Sequence, residues 1–427
     1  MLRRRTLPHG DERRRSMRSP VRRMHIYLFC AVTALFWFAM YTYVPILAPY
    51  VEHLGGSLSM AGLVVGAYGV TQMVIRIPLG FTSDRLGRRK PFVIIGLCLT
   101  VMSSLGLGLA QRPVTALVHR GLAGFAAGTW VAFTVLFTSY FPRNETARAM
   151  GLIMFATTMG QTIATTLGGI LMDFFGWGAP FYVGAAAGLI GLALSFAVQE
   201  GKALEARSMD LSDLRRVGSE KLLLRVSIIA VLLQALAFAS VYGFTPTYAV
   251  SLGAGGTELS ILALVSALPT ALVSLGLGPL SDRFGERRLL TAALALFAAA
   301  VMVVPLCTTL GALYLTQALG ALGRGAAFPI LMGLSIKEVA DKYRATAMGF
   351  FQSIYALGMT AGPALMGFLG DTVGLRLGFG ILGTLGLGAA VLVHLWIPQQ
   401  TPAAQSRQNK FQIWGKRLNC SLSSRRI

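Results

Sequence analysis

Charge is scarce inside the long apolar stretches of this chain, so the few charged residues found there are the first places to look for chemistry. Arg120 and Arg324 are deeply placed in two such stretches, at 113–139 and 311–335. A charged side chain in hydrocarbon costs about 2.5–3.5 kcal/mol on insertion scales, and it is kept where it has a partner or a solute to meet. Arg76 differs, because it lies close to a charged turn and its head is expected to snorkel to the surface. Every acid stands near the end of a stretch or in a loop, with Glu52, Asp173, Glu258 and Asp371 at one set of ends and the rest at the other. Fixed positive charge in low dielectric repels cations. The expected solute is therefore neutral or anionic, and only Glu52 or Asp173, at the rim, remain to carry protons. Covalent chemistry finds no support: GxxxxGK[ST], HExxH and GxSxG are missing. Gly378-Phe-Gly380-Ile-Leu-Gly383 matches GxGxxG in spelling alone, with no preceding strand and no acid about 20 residues on. No cofactor and no metal are expected.

The elements that must position these residues are membrane helices. Apolar residues make up 54% and charged residues 13% of the 427, against about 25% charged in soluble domains. A spanning helix needs about 20 largely apolar residues, and the stretches 25–50, 59–81, 91–110, 113–139, 146–171, 179–199, 222–250, 258–280, 289–308, 311–335, 344–369 and 374–397 qualify. The net charge of +21 would suit nucleic acid were it not confined to turns and tails. The first 24 residues carry nine Arg, and the tail after Pro398 carries six Lys or Arg and no acid. Arg85, Arg88, Arg89, Lys90, Arg143, Arg283, Arg287, Arg288, Lys337 and Lys342 fall on the same side as the tails, whereas the opposite loops hold Arg112 and Arg376. The positive-inside rule then makes both tails cytoplasmic and the number of spans even; the tails have anionic headgroups, not nucleic acid, as their expected neighbours. The basic start runs into an apolar stretch too long for a cleaved signal, so an anchored helix is expected.

Residues 200–221 mix both signs and read as a cytoplasmic linker, in which Leu204, Leu211, Leu214 and Val217 fall roughly at helical spacing and allow an amphipathic turn along the membrane. The domain plan is a basic tail 1–24, a six-helix bundle 25–199, the linker 200–221, a second bundle 222–398 and a basic tail 399–427. Cys30, Cys98, Cys307 and Cys420 show no pairing or ligand spacing and read as small hydrophobes.

Two of the charged turns are nearly the same. Gly80-Phe-Thr-Ser-Asp84-Arg85-Leu-Gly87-Arg88-Arg89-Lys90 returns 198 positions later as Gly278-Pro-Leu-Ser-Asp282-Arg283-Phe-Gly285-Glu286-Arg287-Arg288. Ala149-Met150-Gly151 and Ala347-Met348-Gly349, Gly160 and Gly358, Gly169 and Gly367, and Asp173 and Asp371 keep that offset. A duplicated helical half points to a secondary transporter. The turn resembles the G-x-x-x-D-R-x-G-R-[RK] loop of the major facilitator superfamily, and the resemblance spans roughly residues 25 to 398.

That resemblance implies roles. Asp84 would lie by the N-terminus of the eleventh helix near Arg344, and Asp282 by that of the fifth near Thr146, forming a latch that holds only in the outward-open state. Gly80, Arg85, Gly87, Arg88, Gly278, Arg283 and Gly285 would complete the two latch turns. Glu286 stands where Arg88 does, and the acid nearest to serve Arg88 at the end of the fourth helix is Glu145. Gly160, Gly168, Gly169, Gly358, Gly362 and Pro363 resemble the family's antiporter signature, better matched here in the eleventh helix than in the fifth, and imply close helix packing and export. Arg120-x3-Gly124-x3-Gly128 matches the family's pattern on the fourth helix, whose Arg serves coupling or bonds a backbone carbonyl of the first. On helices that line the family's cavity, Tyr41, Tyr43, Gln72, Trp130, Gln161, Gln234, Tyr242, Gln352 and Tyr355 suggest a substrate surface beside Arg120 and Arg324, although interhelical hydrogen bonds would explain any of the glutamines as well.

The resulting expectation is an all-α membrane protein of twelve transmembrane helices in two pseudo-symmetric six-helix bundles. It would export a small neutral or anionic solute across the plasma membrane by alternating access, as a monomer, with protons as a coupling ion the residues allow. Import, a transporter-like sensor without flux and an intramembrane enzyme are the other classes; the last lacks a nucleophile or metal cluster.

Overall fold

The computed structural model describes residues 20–142, 145–200, 217–340 and 343–399. The basic tails, most of the linker with Leu204, Leu211 and Leu214, and Arg143 and Lys342 lie outside the described residues.

All regular structure among the described residues is helical. Helix α1 is composite: Pro20–Tyr41, a 3-10 turn Val44–Ile46 and Leu47–His53. Then come α2 (Leu58–Leu86), α3 (Lys90–Gly108), α4 (Pro113–Gly128 and Trp130–Ser139), α5 (Thr146–Phe175) and α6 (Ala179–Phe196). Helix α7 runs as Lys221–Ala239, a wide π-helical turn Ser240–Phe244 and Thr245–Ser251. It is followed by α8 (Gly256–Phe284), α9 (Glu286–Val303), α10 (Leu310–Lys337), α11 (Arg344–Thr372) and α12 (Leu375–Trp396). The breaks in α1 and α7 have the same origin. Pro45 and Pro246 lack the N–H that would continue the ladder, so the helix yields just before each. They leave Tyr43 and Tyr242 at the broken turns.

Eleven of the helices are long and apolar enough to cross a bilayer. Helix α5 falls short because its middle carries Thr157, Thr158, Gln161, Thr162, Thr165 and Thr166. Those hydroxyls suit a membrane when they bond back into the helix, as Thr157 does to the Ile153 carbonyl at 2.9 Å and Thr165 to that of Gln161 at 3.0 Å. Outward faces are apolar, with Leu275 84% and Phe174 and Phe175 each 75% exposed. In water such surface aggregates; hydrocarbon is its matching solvent. The chain is a multi-pass membrane protein.

The duplication extends beyond the charged turns to further anchors. The six glycines with positive φ form three pairs 198 apart: Gly55 with Gly253, Gly87 with Gly285 and Gly176 with Gly374. Tyr50 donates to the Leu107 and Ala110 carbonyls at 2.8 and 3.2 Å, tying α1 to the end of α3. Tyr248, 198 residues on, donates to Cys307 and Pro305 at 3.0 and 3.2 Å, tying α7 to the end of α9.

The helices gather into two compact units. The first holds residues 20–56, 67–200 and 255–260; the second holds 57–66, 217–254 and 261–399. In the first, α5 lies directly on α1: a Cβ built on Gly160 would stand 2.3 Å from the Ala34 carbonyl oxygen, and one on Gly168 1.7 Å from that of Thr42. In the second, Gly358 and Gly362 bring α11 onto α7, with 2.0 and 2.2 Å to the carbonyl oxygens of Val231 and Ala235. Backbones this close admit no side chain, and small residues are how helices associate where hydrophobic burial supplies no preference. Pro363 is carried inside an unbroken α11.

Candidate functional site

In the first unit the site grows from the seam between α2 and α4. Gly124 and Gly128 have no side chains, so α4 settles against Tyr68, Thr71, Gln72 and Ile75 of α2; a Cβ on Gly124 would meet the Tyr68 carbonyl oxygen at 2.4 Å. Arg120 opens this seam. It is 5% exposed, donates from Nη1 to the Tyr43 hydroxyl at 3.3 Å, and holds its guanidinium carbon 4.6 Å from the Tyr68 ring centroid and 5.6 Å from that of Tyr43. The expected backbone carbonyl of α1 is thus replaced by the hydroxyl of Tyr43 at the broken turn. Arg120 Nε is buried without a partner. Gln72 and Arg76 follow on the same face of α2, each 6% exposed, with Gln72 Oε1 and Arg76 Nε and Nη1 unpartnered. Arg76 therefore does not snorkel: its stem is enclosed on the packed face of α2 instead of running along lipid.

The second unit also pairs an arginine with a tyrosine at a broken turn, although neither residue keeps the 198-residue offset from Arg120 or Tyr43. Arg324 of α10 donates from Nη1 to the Tyr242 hydroxyl at 3.1 Å and from Nη2 to the Ser266 carbonyl at 3.0 Å and the Thr270 hydroxyl at 3.1 Å. Its guanidinium carbon lies 5.7 Å from the Tyr242 ring centroid, and Nε alone is buried without a partner. Ser266, Thr270 and Ser274 occupy the positions 198 after Tyr68, Gln72 and Arg76. No carboxylate among the described residues pairs with Arg120 or Arg324.

The other expected surface residues divide between the units. In the first, Trp37 joins two of them, its ring 5.7 Å from Tyr41 and 5.3 Å from Trp130. Trp37 was not singled out by sequence, since an aromatic in an apolar run carries no local mark. Gln161 of α5, Gln234 of α7 and Gln352 of α11 are half-buried and have no side-chain hydrogen bond among the described residues. Tyr355 packs on Phe351 and Phe328 at 5.3 and 5.6 Å.

At the charged turns, Gly87 and Gly285 have φ of 61° and 81°, where L side chains are strained, so both turns require glycine. Gly278 has open space around it, so packing does not require glycine there. Gly80 and Asp84 lie in α2, and their surroundings fall outside the described residues; Arg85, Arg88, Asp282 and Arg283 are exposed. Arg88 does not pair with Glu145, which instead faces Arg148 of its own helix at 3.4 Å. In the second copy Glu286 pairs with Lys337, at the end of α10, at 2.6 Å. The substitution at 286 thus comes with a base at the end of α10.

Glu200, read in sequence as linker, caps α3: its carboxylate accepts from the Arg89 and Lys90 amides at 2.6 and 3.0 Å. That is where the helix dipole favours negative charge. Burial, reinforced by the Glu200 charge, pushes the Tyr140 phenol above its ordinary value, so it stays a neutral donor to the Gln199 carbonyl.

At the opposite ends two further carboxylates are committed. Within the first unit Asp173 accepts from the amides of Gly256 and Thr257 at 2.7 and 2.6 Å and from the Thr257 hydroxyl at 2.6 Å. Within the second, Asp371 accepts from the Leu58 and Ser59 amides at 3.0 and 2.9 Å. Asp173 is a helix cap rather than a free proton carrier.

Among known proteins, the model of the Major Facilitator Superfamily matches residues 29–255 and 227–419. A multidrug resistance protein MdtG of Yersinia enterocolitica is 26% identical over 379 residues, 85% of this chain and 90% of its own. An uncharacterized MFS-type transporter of Methanocaldococcus jannaschii is 23% identical over 351 residues, 78% of this chain and 87% of its own. Among solved structures, a bacterial homolog to the human lysosomal transporter Spinster, inward-facing and occupied, superposes with a TM-score of 0.74 at 17% identity, covering 88% of this chain and 97% of that one. The nucleoside transporter NupG gives 0.69 at 15% identity over 87% and 100%. Both likenesses show the fold alone.

Proposed function

The chain belongs to the major facilitator superfamily and is a secondary transporter, and from that premise we propose that it exports a neutral or anionic small solute by antiport across a bacterial-type plasma membrane. The observation that carries the charge preference is that Arg120 and Arg324 lack a facing carboxylate among the described residues, while their partners are hydroxyls, a carbonyl and rings. A cation entering beside them would meet uncompensated positive charge at low dielectric. The half-buried glutamines without partners supply hydrogen-bonding groups for a solute. Export is supported by the glycine signature on α5 and α11 and by the multidrug resistance names of relatives such as MdtG. The latch turns would favour the outward-open state, and protons are the coupling ion to test.

Everted membrane vesicles containing the chain, given an acid-inside pH gradient, should accumulate an organic anion such as carboxyfluorescein. Accumulation in right-side-out vesicles instead would contradict export.

Orientation is tested separately. The fifteen basic residues of the tails support a cytoplasmic location for both, so a membrane-impermeant thiol reagent should leave Cys420 unlabelled on intact cells and label it after lysis. Labelling before lysis would reverse the topology.

A further inference from the structure

We propose that the seam of α2 and α4 in the first unit is the anion-binding site, formed by Arg120, Gln72 and Arg76, and that it takes an organic anion bearing a hydroxyl or N–H donor. This rests on the charge preference proposed above and locates it. Tyr68, Gln72 and Arg76 stand four residues apart, so they share one face of the helix, and Arg120 lies on Tyr68 at its head. Arg120, Gln72 and Arg76 are each at least nine-tenths buried, and each keeps polar atoms without a protein partner: Nε of both arginines, Nη1 of Arg76 and Oε1 of Gln72. Buried donors of a cation left unmade are costly, and two guanidiniums on one seam without an acid are costlier still. A carboxylate or phosphate satisfies such forks in bidentate fashion. The unpartnered Gln72 oxygen is an acceptor, which asks for a donor on the same molecule.

The second unit is the internal control. There the positions of Tyr68, Gln72 and Arg76 carry Ser266, Thr270 and Ser274, and the hydroxyls bond inward: Ser266 to the Leu262 carbonyl at 2.9 Å, Thr270 to that of Ser266 at 2.9 Å and Ser274 to that of Thr270 at 2.8 Å. Arg324 is largely satisfied by Tyr242, Ser266 and Thr270. The position 198 after Arg120 is Ala318, so in the second unit an arginine from elsewhere on α10 meets the hydroxyls and the seam is closed by its own chain, whereas the seam of the first is short of an anion.

The test uses the purified full chain in phosphatidylcholine nanodiscs, with thermal unfolding followed against gluconate, citrate, glucose 6-phosphate, glucose and, at matched ionic strength, sulfate. At least one organic anion should raise the unfolding temperature, whereas glucose and sulfate should not. Arg76→Gln should raise the half-saturating concentration about tenfold or more, and without ligand it should unfold no lower than the parent, since it removes an unpartnered charge. Arg76→Lys should recover part of the affinity. Arg148→Gln, at an exposed pair, should leave binding unchanged. No stabilisation by any organic anion, an equal shift by sulfate, or full affinity in Arg76→Gln would overturn the assignment. A shift produced by adding phosphatidylglycerol to the nanodiscs but by none of the soluble anions would assign the seam to a lipid headgroup and overturn it too. Loss of the anion shift in Arg324→Gln but not in Arg76→Gln would move the site to the second unit and leave the charge preference standing. Stabilisation by glucose alone would overturn this assignment but remain compatible with a neutral solute.

Discussion

Asp84→Asn should cut turnover severalfold while leaving the amount of folded chain in the membrane within about twofold. The substitution removes one charge and keeps the shape. If Asp84 meets a helix N-terminus in only one conformation, as the turn's resemblance implies, the loss falls on that conformer and not on the fold. A carboxylate at such a terminus contributes about 0.3–1 kcal/mol when exposed and about 2 when partly buried, enough to shift a nearly balanced two-state equilibrium severalfold. Asp282→Asn should act in the same direction and less, because its turn differs from the first at Glu286, which is already paired with Lys337. Unchanged transport by the Asp84→Asn chain would remove the latch, and loss of the protein from the membrane would turn its role into one of folding.

Arg120→Ala should reduce transport of an organic anion by about tenfold or more, with the chain still monodisperse in detergent. Truncation frees the Tyr43 hydroxyl and opens space beside Tyr68, but it also removes a buried cation whose Nε has no partner. Hydrogen bonds to charged groups are worth about 1.5–3 kcal/mol, so a lost anion contact shows as a large fall in apparent affinity. Arg120→Lys keeps the charge without the planar fork and should lie between the two. An Arg120→Ala chain that moves the anion at the parental rate would make the residue a structural bond to Tyr43 and nothing more.

Much of this protein is written in its pattern. Spans could be read because twenty apolar residues between charged turns have few alternatives in a bilayer, and the duplication could be read because the turn requires glycine at Gly87 and Gly285 whatever surrounds it. Arg120 and Arg324 were visible for the same reason, as charge where charge is costly. What sequence could not supply was which side chain each would meet. Tyr43 is one tyrosine of several near its helix end, and its place beside Arg120 follows from the break at Pro45. Distance along the chain from a turn says nothing of which face of α2 is covered, and the Arg76 face is buried. Glu200 looked like linker since its partners, the Arg89 and Lys90 amides, lie more than a hundred residues away. Asp173 and Asp371 stand out in sequence as acids at helix ends that keep the 198-residue offset, and Asp173 as a rim proton carrier. Their commitment to the starts of α8 and α2 needs the fold.

The central claim is that this chain carries solutes and selects them by charge. Proteoliposomes holding the purified chain, preloaded with unlabelled solute and given a trace of the labelled form outside, measure it by counterflow. An organic anion or neutral solute should exchange, and ethidium should not, in the parent chain. Exchange of ethidium that persists in both Arg120→Ala and Arg324→Ala, with no exchange of any anion or neutral solute tried, would contradict it.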